Sequence, residues 1–334
     1  MSKEKKTYII SNVVYGDCYP ALWLDNHIKS ICDDTNLPAL REKYKLEYAL
    51  FTDEHTLQAI SRHPSFMRLG QLCEMHIVTI KWPADANQFA SRYGVLAETF
   101  HKILEVALQK NAYSSCLVAD LVFAKHALPR ILKKLENGHD AVFNVPIRSA
   151  ADSVNVVLNS LPGAPSDMEL FELAYANLHH LWVASHWESP LFSKFPYSIL
   201  WNSGTGLLAH NFGITPIAFK AIDELKNVRG VIDSDVPAMF KNPFWATDWT
   251  DAPVAGVEPL SNGHYPPFLQ HRSSVEFVAE WATKGTQPCQ LNYLDKPLYY
   301  PSRKRFNNVD MAKDALAIVT EIQNRRNTSN ENGD

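Results

Sequence analysis

Ser114-Ser115-Cys116-Leu117-Val118-Ala119-Asp120-Leu121-Val122-Phe123 is an apolar run that carries one acid, Asp120, inside it. Short apolar runs of this kind read as strands buried in an α/β sheet, covered by helices on both faces. A helical pattern follows, from Lys125 through Leu135, and Gly138 closes it. An Asp at the carboxyl end of such a strand lies where open α/β sheets bind their ligands. Burying a lone carboxylate costs several kcal/mol unless something pairs with it or ligates it. Asp120 therefore needs a partner.

On either side of this stretch, strand and helix patterns alternate. Residues 7–15 are β-rich and end at Gly16-Asp17, and residues 21–32 carry apolar side chains at helical spacing. Further strands are expected at 46–52, 75–80 and 141–146. The clearest amphipathic helix spans 90–109, with Val95, Leu96, Phe100, Ile103, Leu104 and Ala107 on one face. This alternation implies parallel βαβ units with helices layered on both faces of one sheet. After Arg148 the chain becomes richer in proline and tryptophan and loses the regular alternation.

Several functions are disfavoured by motif and charge. No Gly-x-Gly-x-x-Gly follows the first strand, and neither a phosphate-binding Gly-Lys-Ser/Thr loop nor a Gly-x-Ser-x-Gly elbow occurs. The formal net charge of −4 leaves no basic field for wrapping nucleic acid. The 5 cysteines have no Cys-x-x-Cys spacing and are odd in number, against a disulfide framework or a zinc ribbon. No apolar run approaches a membrane span, and a cytoplasmic, reducing setting is the simplest expectation.

The triplet Val118-Ala119-Asp120, set between an apolar strand and a helix, resembles the Asp-x-Asp motif of GT-A-type nucleotide-diphospho-sugar glycosyltransferases, with Val in the first acid's place. The resemblance implies a three-layer α/β/α fold with a central, mainly parallel (mixed) sheet and an elaborated C-terminal half. It divides a single domain of residues 1–326 into a nucleotide-binding half, 1–148, and an acceptor-facing half, 149–326, followed by a disordered polar tail, 327–334. The implied activity moves a sugar from a nucleoside-diphosphate-sugar donor to an acceptor hydroxyl. A non-catalytic descendant of the fold, binding a nucleotide, a glycan or a partner protein, is the alternative that Val118 favours.

Site residues follow from the same resemblance. Asp120 is expected by the diphosphate, with Arg92 and Lys102 as cationic partners. Thr52 and Asp53, at the end of the second strand, are expected at the nucleobase or ribose. In the family the paired acids hold a divalent cation, Mn²⁺ or Mg²⁺. Val118 has no oxygen to offer, which leaves Asp120 and His210 as the expected metal residues. Asp233 and Asp235, in the Asp-Ser-Asp of 233–235, are candidates for the base that deprotonates the acceptor. For Asp53 and for the later acids the competing reading, and the commoner one, is helix capping; for His210 it is a satisfied core or rim histidine.

Overall fold

The computed structural model describes residues 5–81, 89–196, 198–228, 236–260, 268–269, 271–303 and 311–331. In chain order the strands are β1 (Lys6–Val14), β2 (Tyr44–Thr52), β3 (Glu74–Thr79), β4 (Tyr113–Leu117), β5 (Leu121–Phe123), β6 (Ala141–Asn144) and β7 (Ile147–Ala150). They continue with β8 (Ser198–Ser203), β9 (Gly206–Asn211), β10 (Thr215–Lys220), β11 (Phe244–Trp245), β12 (Val254–Glu258) and β13 (Leu298–Pro301). The main sheet has the order β11-β6-β10-β4-β1-β2-β3. Strands β4, β1, β2 and β3 are mutually parallel, and β10 alone runs antiparallel to its neighbours. The fold is thus α/β with a central, mainly parallel, mixed sheet, as the sequence pattern implies.

Alternation along the strands explains the layers. In β1, Tyr8 and Ile10 join one buried cluster while Ile9 joins another on the opposite face; in β2, Tyr48 and Leu50 part from Ala49 and Phe51 in the same way. The helices Pro64–Leu72 and Ala127–Glu136 cover the first face. The long helix Phe89–Gln109 covers the second, through Ile103 and Ala107. Both faces of the central strands are therefore apolar, which is why these runs read as continuous rather than alternating.

The second half of the chain is woven into the first. Strand β10 sits between β4 and β6, so residues 215–220 complete the main sheet. Two smaller sheets, β5-β12-β7 and β13-β9-β8, pack together through Val122, Ala255, Val257, Leu200, Leu207 and Ala209. The helix Met311–Glu331 carries the chain into the segment expected as a disordered tail. Among the described residues no helix is long and apolar enough to cross a membrane.

One expectation is corrected here. The run from Ser114 to Phe123 is not one strand. It breaks at residues 118–120: β4 stays in the main sheet, and β5 crosses to pair with β12. Hydrogen bonds anchor both sides of the break. The Asn12 side-chain amide donates to the last carbonyl of β4, Leu117 O, at 2.8 Å, and the Val257 N–H donates to Asp120 O at 2.8 Å. Val118 lies between them, 50% exposed.

Candidate functional site at the sheet switch point

Strands β2 and β3 lie to one side of β1 and β4 lies to the other. The direction of winding therefore changes between β1 and β4, and open α/β sheets bind their ligands in the crevice outside the carboxyl ends of the strands at such a switch point. The chain leaves β1 through Tyr15-Gly16-Asp17-Cys18, where Gly16 has φ +74°, a conformation that disfavours any residue with a Cβ. It leaves β4 through Val118-Ala119-Asp120. Those two exits bound the candidate site.

Asp120 is 6% exposed, and its Oδ1 has no hydrogen-bond partner. Burial raises its pKa above the ordinary 3.8, and the Arg148 guanidinium offsets part of that. Arg148 stands on β7, beside Gly256 of β12. A Cβ at position 256 would lie 3.4 Å from Arg148 Cγ, so the glycine makes room for the arginine stem. Two residues on, Glu258 forms an ion pair with Arg148. The Arg148 side chain is 48% exposed while that of Glu258 is 13% exposed. The carboxylate is thus the fixed member of the pair, and the guanidinium reaches towards solvent.

His179 extends the same sheet. Its N–H donates to the Arg148 carbonyl at 3.0 Å, and Ser149 bridges to Leu178. The imidazole is buried, with its ring 4.1 Å from that of His180. Its Nδ1 accepts from the Leu181 N–H at 3.4 Å, which places the proton of the neutral ring on Nε2. Burial, helped by His180 and Arg148, lowers its pKa to about 4. His179 is therefore neutral at physiological pH and adds no charge to the site.

A cavity of about 230 Å³ has Cys18, at the exit of β1, in its lining. It lies between the helical segment that follows β1 and the helix Ala151–Ser160 that follows β7, with Pro259 at its edge. Strand β12 therefore leads from Glu258, the partner of Arg148, straight to the cavity wall.

The residues expected from sequence fare differently. Thr52 is buried, and its hydroxyl donates to the Val14 carbonyl at 2.7 Å. Asp53 caps the helix Glu54–Ile60: its Oδ1 accepts from the Thr56 N–H at 2.8 Å and its Oδ2 from the Thr56 hydroxyl at 2.9 Å. Replacing Asp53 by Ala is expected to cost about 1 kcal/mol of stability in urea unfolding, with ligand binding at the crevice unchanged. Lys102 pairs with Glu98 at 2.7 Å, one turn away on an exposed helix face. The side chain of Arg92, and both Asp233 and Asp235, lie outside the described residues.

Asp120 and His210 are not brought together. His210 is on β9, whose Leu207 and Ala209 face the β5-β12-β7 sheet. Alternation turns His210 to the other side, edge-on to Trp201, where its Nδ1 lies 3.0 Å from the Leu294 carbonyl. Burial lowers its pKa, which suits a neutral core histidine. With one buried carboxyl of raised pKa, a valine in the first acid's place and the imidazole turned away, these residues do not fit a divalent cation. Among the described residues the one cluster with metal-ligand spacing is Glu47, Glu74 and His76. It lies towards the opposite, amino-terminal end of the parallel strands. Lys110 at 2.5 Å and Lys45 at 3.1 Å already balance Glu47.

No family model matches the chain, and no curated protein matches it. Among solved structures it is similar to a protein of Bacillus anthracis designated a glucose-1-phosphate thymidylyltransferase and solved with sucrose, at 11% identity and a TM-score of 0.27 over 44% of this chain. It is likewise similar to mouse xyloside xylosyltransferase 1, at 10% identity and 0.27 over 43% of this chain. The matches span 57% and 52% of those proteins. Likeness at this level carries no weight in assigning the site, which rests on the geometry above.

Proposed function

We propose that this protein binds a nucleoside-diphosphate-sugar in the crevice between β1 and β4 and transfers the sugar to an acceptor hydroxyl. The observation that carries the reading is Asp120: a buried carboxyl with an unsatisfied oxygen at the switch point, beside a half-exposed arginine. Leaving such an oxygen unpaired costs about 1–3 kcal/mol. A ligand group at the switch point would supply the missing partner.

The chemistry follows from the charges. A departing nucleoside diphosphate gains negative charge on its terminal phosphate. Arg148 supplies the cation, held in direction by Glu258 and able to reach solvent. Burial favours the protonated form of Asp120, and in that form its O–H would donate to a phosphate oxygen, as a neutral carboxylic acid does in an apolar site. Donors fixed where charge develops stabilise the transition state without reorganising. The base for the acceptor is sought at Asp233 and Asp235.

Because the residues do not fit a divalent cation, exhaustive chelation is expected to leave donor affinity unchanged. Titration of nucleotide sugars with and without EDTA checks this, and a loss of binding that Mn²⁺ or Mg²⁺ restores would assign the diphosphate to a metal. The reading as a whole is tested by incubating the protein with a panel of nucleotide sugars and following release of nucleoside diphosphate. A second reading, a non-catalytic protein that binds the nucleotide or a glycan, is favoured by the half-exposed Val118 where the family has its first acid. Saturable binding with no release across the panel would select it.

A further inference from the structure

The cavity beside the crevice is built of amides and acids. Asp25 and Asn26 come from the segment after β1, and Asp152, Asn155 and Asn159 recur along one face of the helix Ala151–Ser160. Asn26 is 3% exposed: its amide N–H donates to Asn155 Oδ1 at 2.8 Å, and its own Oδ1 has no partner. Cys18, the exposed cysteine at the β1 exit, stands at the rim. No lysine or arginine is among the described lining residues. Lys29 instead gives its ammonium to the carbonyls of Leu158 and Asn159, at 2.9 and 3.0 Å. Asp152 Oδ2 accepts from the Leu260 N–H at 3.3 Å, and Asp25 has His63 Nε2 at 3.7 Å, so each carboxylate keeps acceptor capacity.

This lining selects a ligand by chemistry. Two carboxylates in a lining without lysine or arginine disfavour a phosphate or a carboxylate. Amides offer a donor and an acceptor side by side, the pattern that adjacent hydroxyl groups complement. Leu22, Ala21 and Ala151 add a small apolar surface. A volume of about 230 Å³ holds roughly 7–8 waters at ~30 Å³ each, the scale of a single sugar ring. We infer that this cavity is a binding site for a neutral, polyhydroxylated monosaccharide ring. Its place in a reaction rests on the transfer reading above; its existence does not. The ring belongs either to the acceptor or to the donor's own glycosyl group, and both present the same hydroxyls.

The test titrates neutral methyl glycosides against the full chain by ligand-observed NMR and follows alkylation of Cys18 in parallel. At least one glycoside is expected to bind saturably and to slow Cys18 alkylation. Its 6-phosphate is expected to bind more weakly. Asn155→Leu is expected to weaken binding about 10-fold or more, and Asn159→Leu, at an exposed position, serves as a second variant that leaves the core untouched. Absence of glycoside binding, tighter binding of the phosphate, or equal affinity in parent and both variants overturns the inference. Binding alongside a nucleoside diphosphate marks the acceptor, and competition with a nucleotide sugar alone marks the donor's ring. Glycoside binding without any nucleotide-sugar binding keeps the pocket and removes the transfer reading. Nucleotide-sugar binding with no glycoside binding does the reverse.

Discussion

Asp120→Ala is expected to reduce sugar transfer by about 10²–10³-fold, the usual cost of removing one fixed donor to developing charge, while the chain stays folded. Its carboxyl is the buried polar group at the switch point that the surrounding protein leaves half satisfied. Asp120→Asn, which keeps an N–H donor in the same place, is expected to retain more activity than Asp120→Ala. A metal ligand would behave otherwise, since an amide is a poor substitute for a carboxylate on a cation. Stability moves in the opposite direction. Burial raises the Asp120 pKa in the folded state above the ordinary 3.8. Its contribution to stability is thus fully present below pH 3.8 and is lost as pH rises through the folded-state value. Asp120→Asn removes that loss, so its stability relative to the parent grows with pH over this window and then levels off. Urea unfolding of both proteins between pH 3 and 8 reads the trend. A variant that is more stable yet less active is the signature of a residue kept for function.

Arg148→Ala is expected to weaken nucleotide-sugar binding about 30-fold or more, the scale of a lost charge-assisted contact of ~2–3 kcal/mol. Glu258 is the reason the effect is large. With Arg148 present the two charges offset; without it a largely buried carboxylate faces the incoming diphosphate and repels it. Arg148→Lys is expected to recover part of the affinity, because charge returns without the planar fork that matches a phosphate. Removing both charges, Arg148→Ala with Glu258→Gln, is expected to bind better than Arg148→Ala alone. The ion pair itself contributes little to folding, since the guanidinium is about half in solvent. Thermal unfolding is therefore expected to change far less than donor affinity, and a collapse of stability in Arg148→Ala would recast the arginine as structural.

The parallel half of the fold was legible because its central strands, β1 and β2, are buried on both faces. Apolar-rich runs at 46–52 and 75–80, separated by helical patterns, leave few other architectures. The break at residues 118–120 was not legible. Nothing in Leu117 to Leu121 itself stops a strand, and the chain leaves the sheet because Asn12 and Val257, distant in sequence, hold the two sides of the break. Asp120 was found from sequence since a lone acid in an apolar run is conspicuous. Glu258, closing the apolar Val254-Ala255-Gly256-Val257, carries the same signal in a shorter run, and Arg148 ends a strand-like stretch in the same manner. What sequence could not supply was their meeting, which depends on β12 pairing in parallel with β7 across more than 100 residues. His210 shows the converse: its neighbours suggested a ligand, and the alternation of β9 turned it into the core.

The central claim, that the crevice between β1 and β4 holds a nucleoside-diphosphate-sugar through Arg148 and Asp120, is tested most directly by calorimetric titration. A panel of nucleotide sugars is titrated against the parent chain, Arg148→Ala and Asp53→Ala in the presence of EDTA. At least one member is expected to bind the parent and Asp53→Ala alike and to lose about 30-fold or more in Arg148→Ala. Absence of binding to the parent across the panel, or equal affinity in the parent and Arg148→Ala, would contradict it.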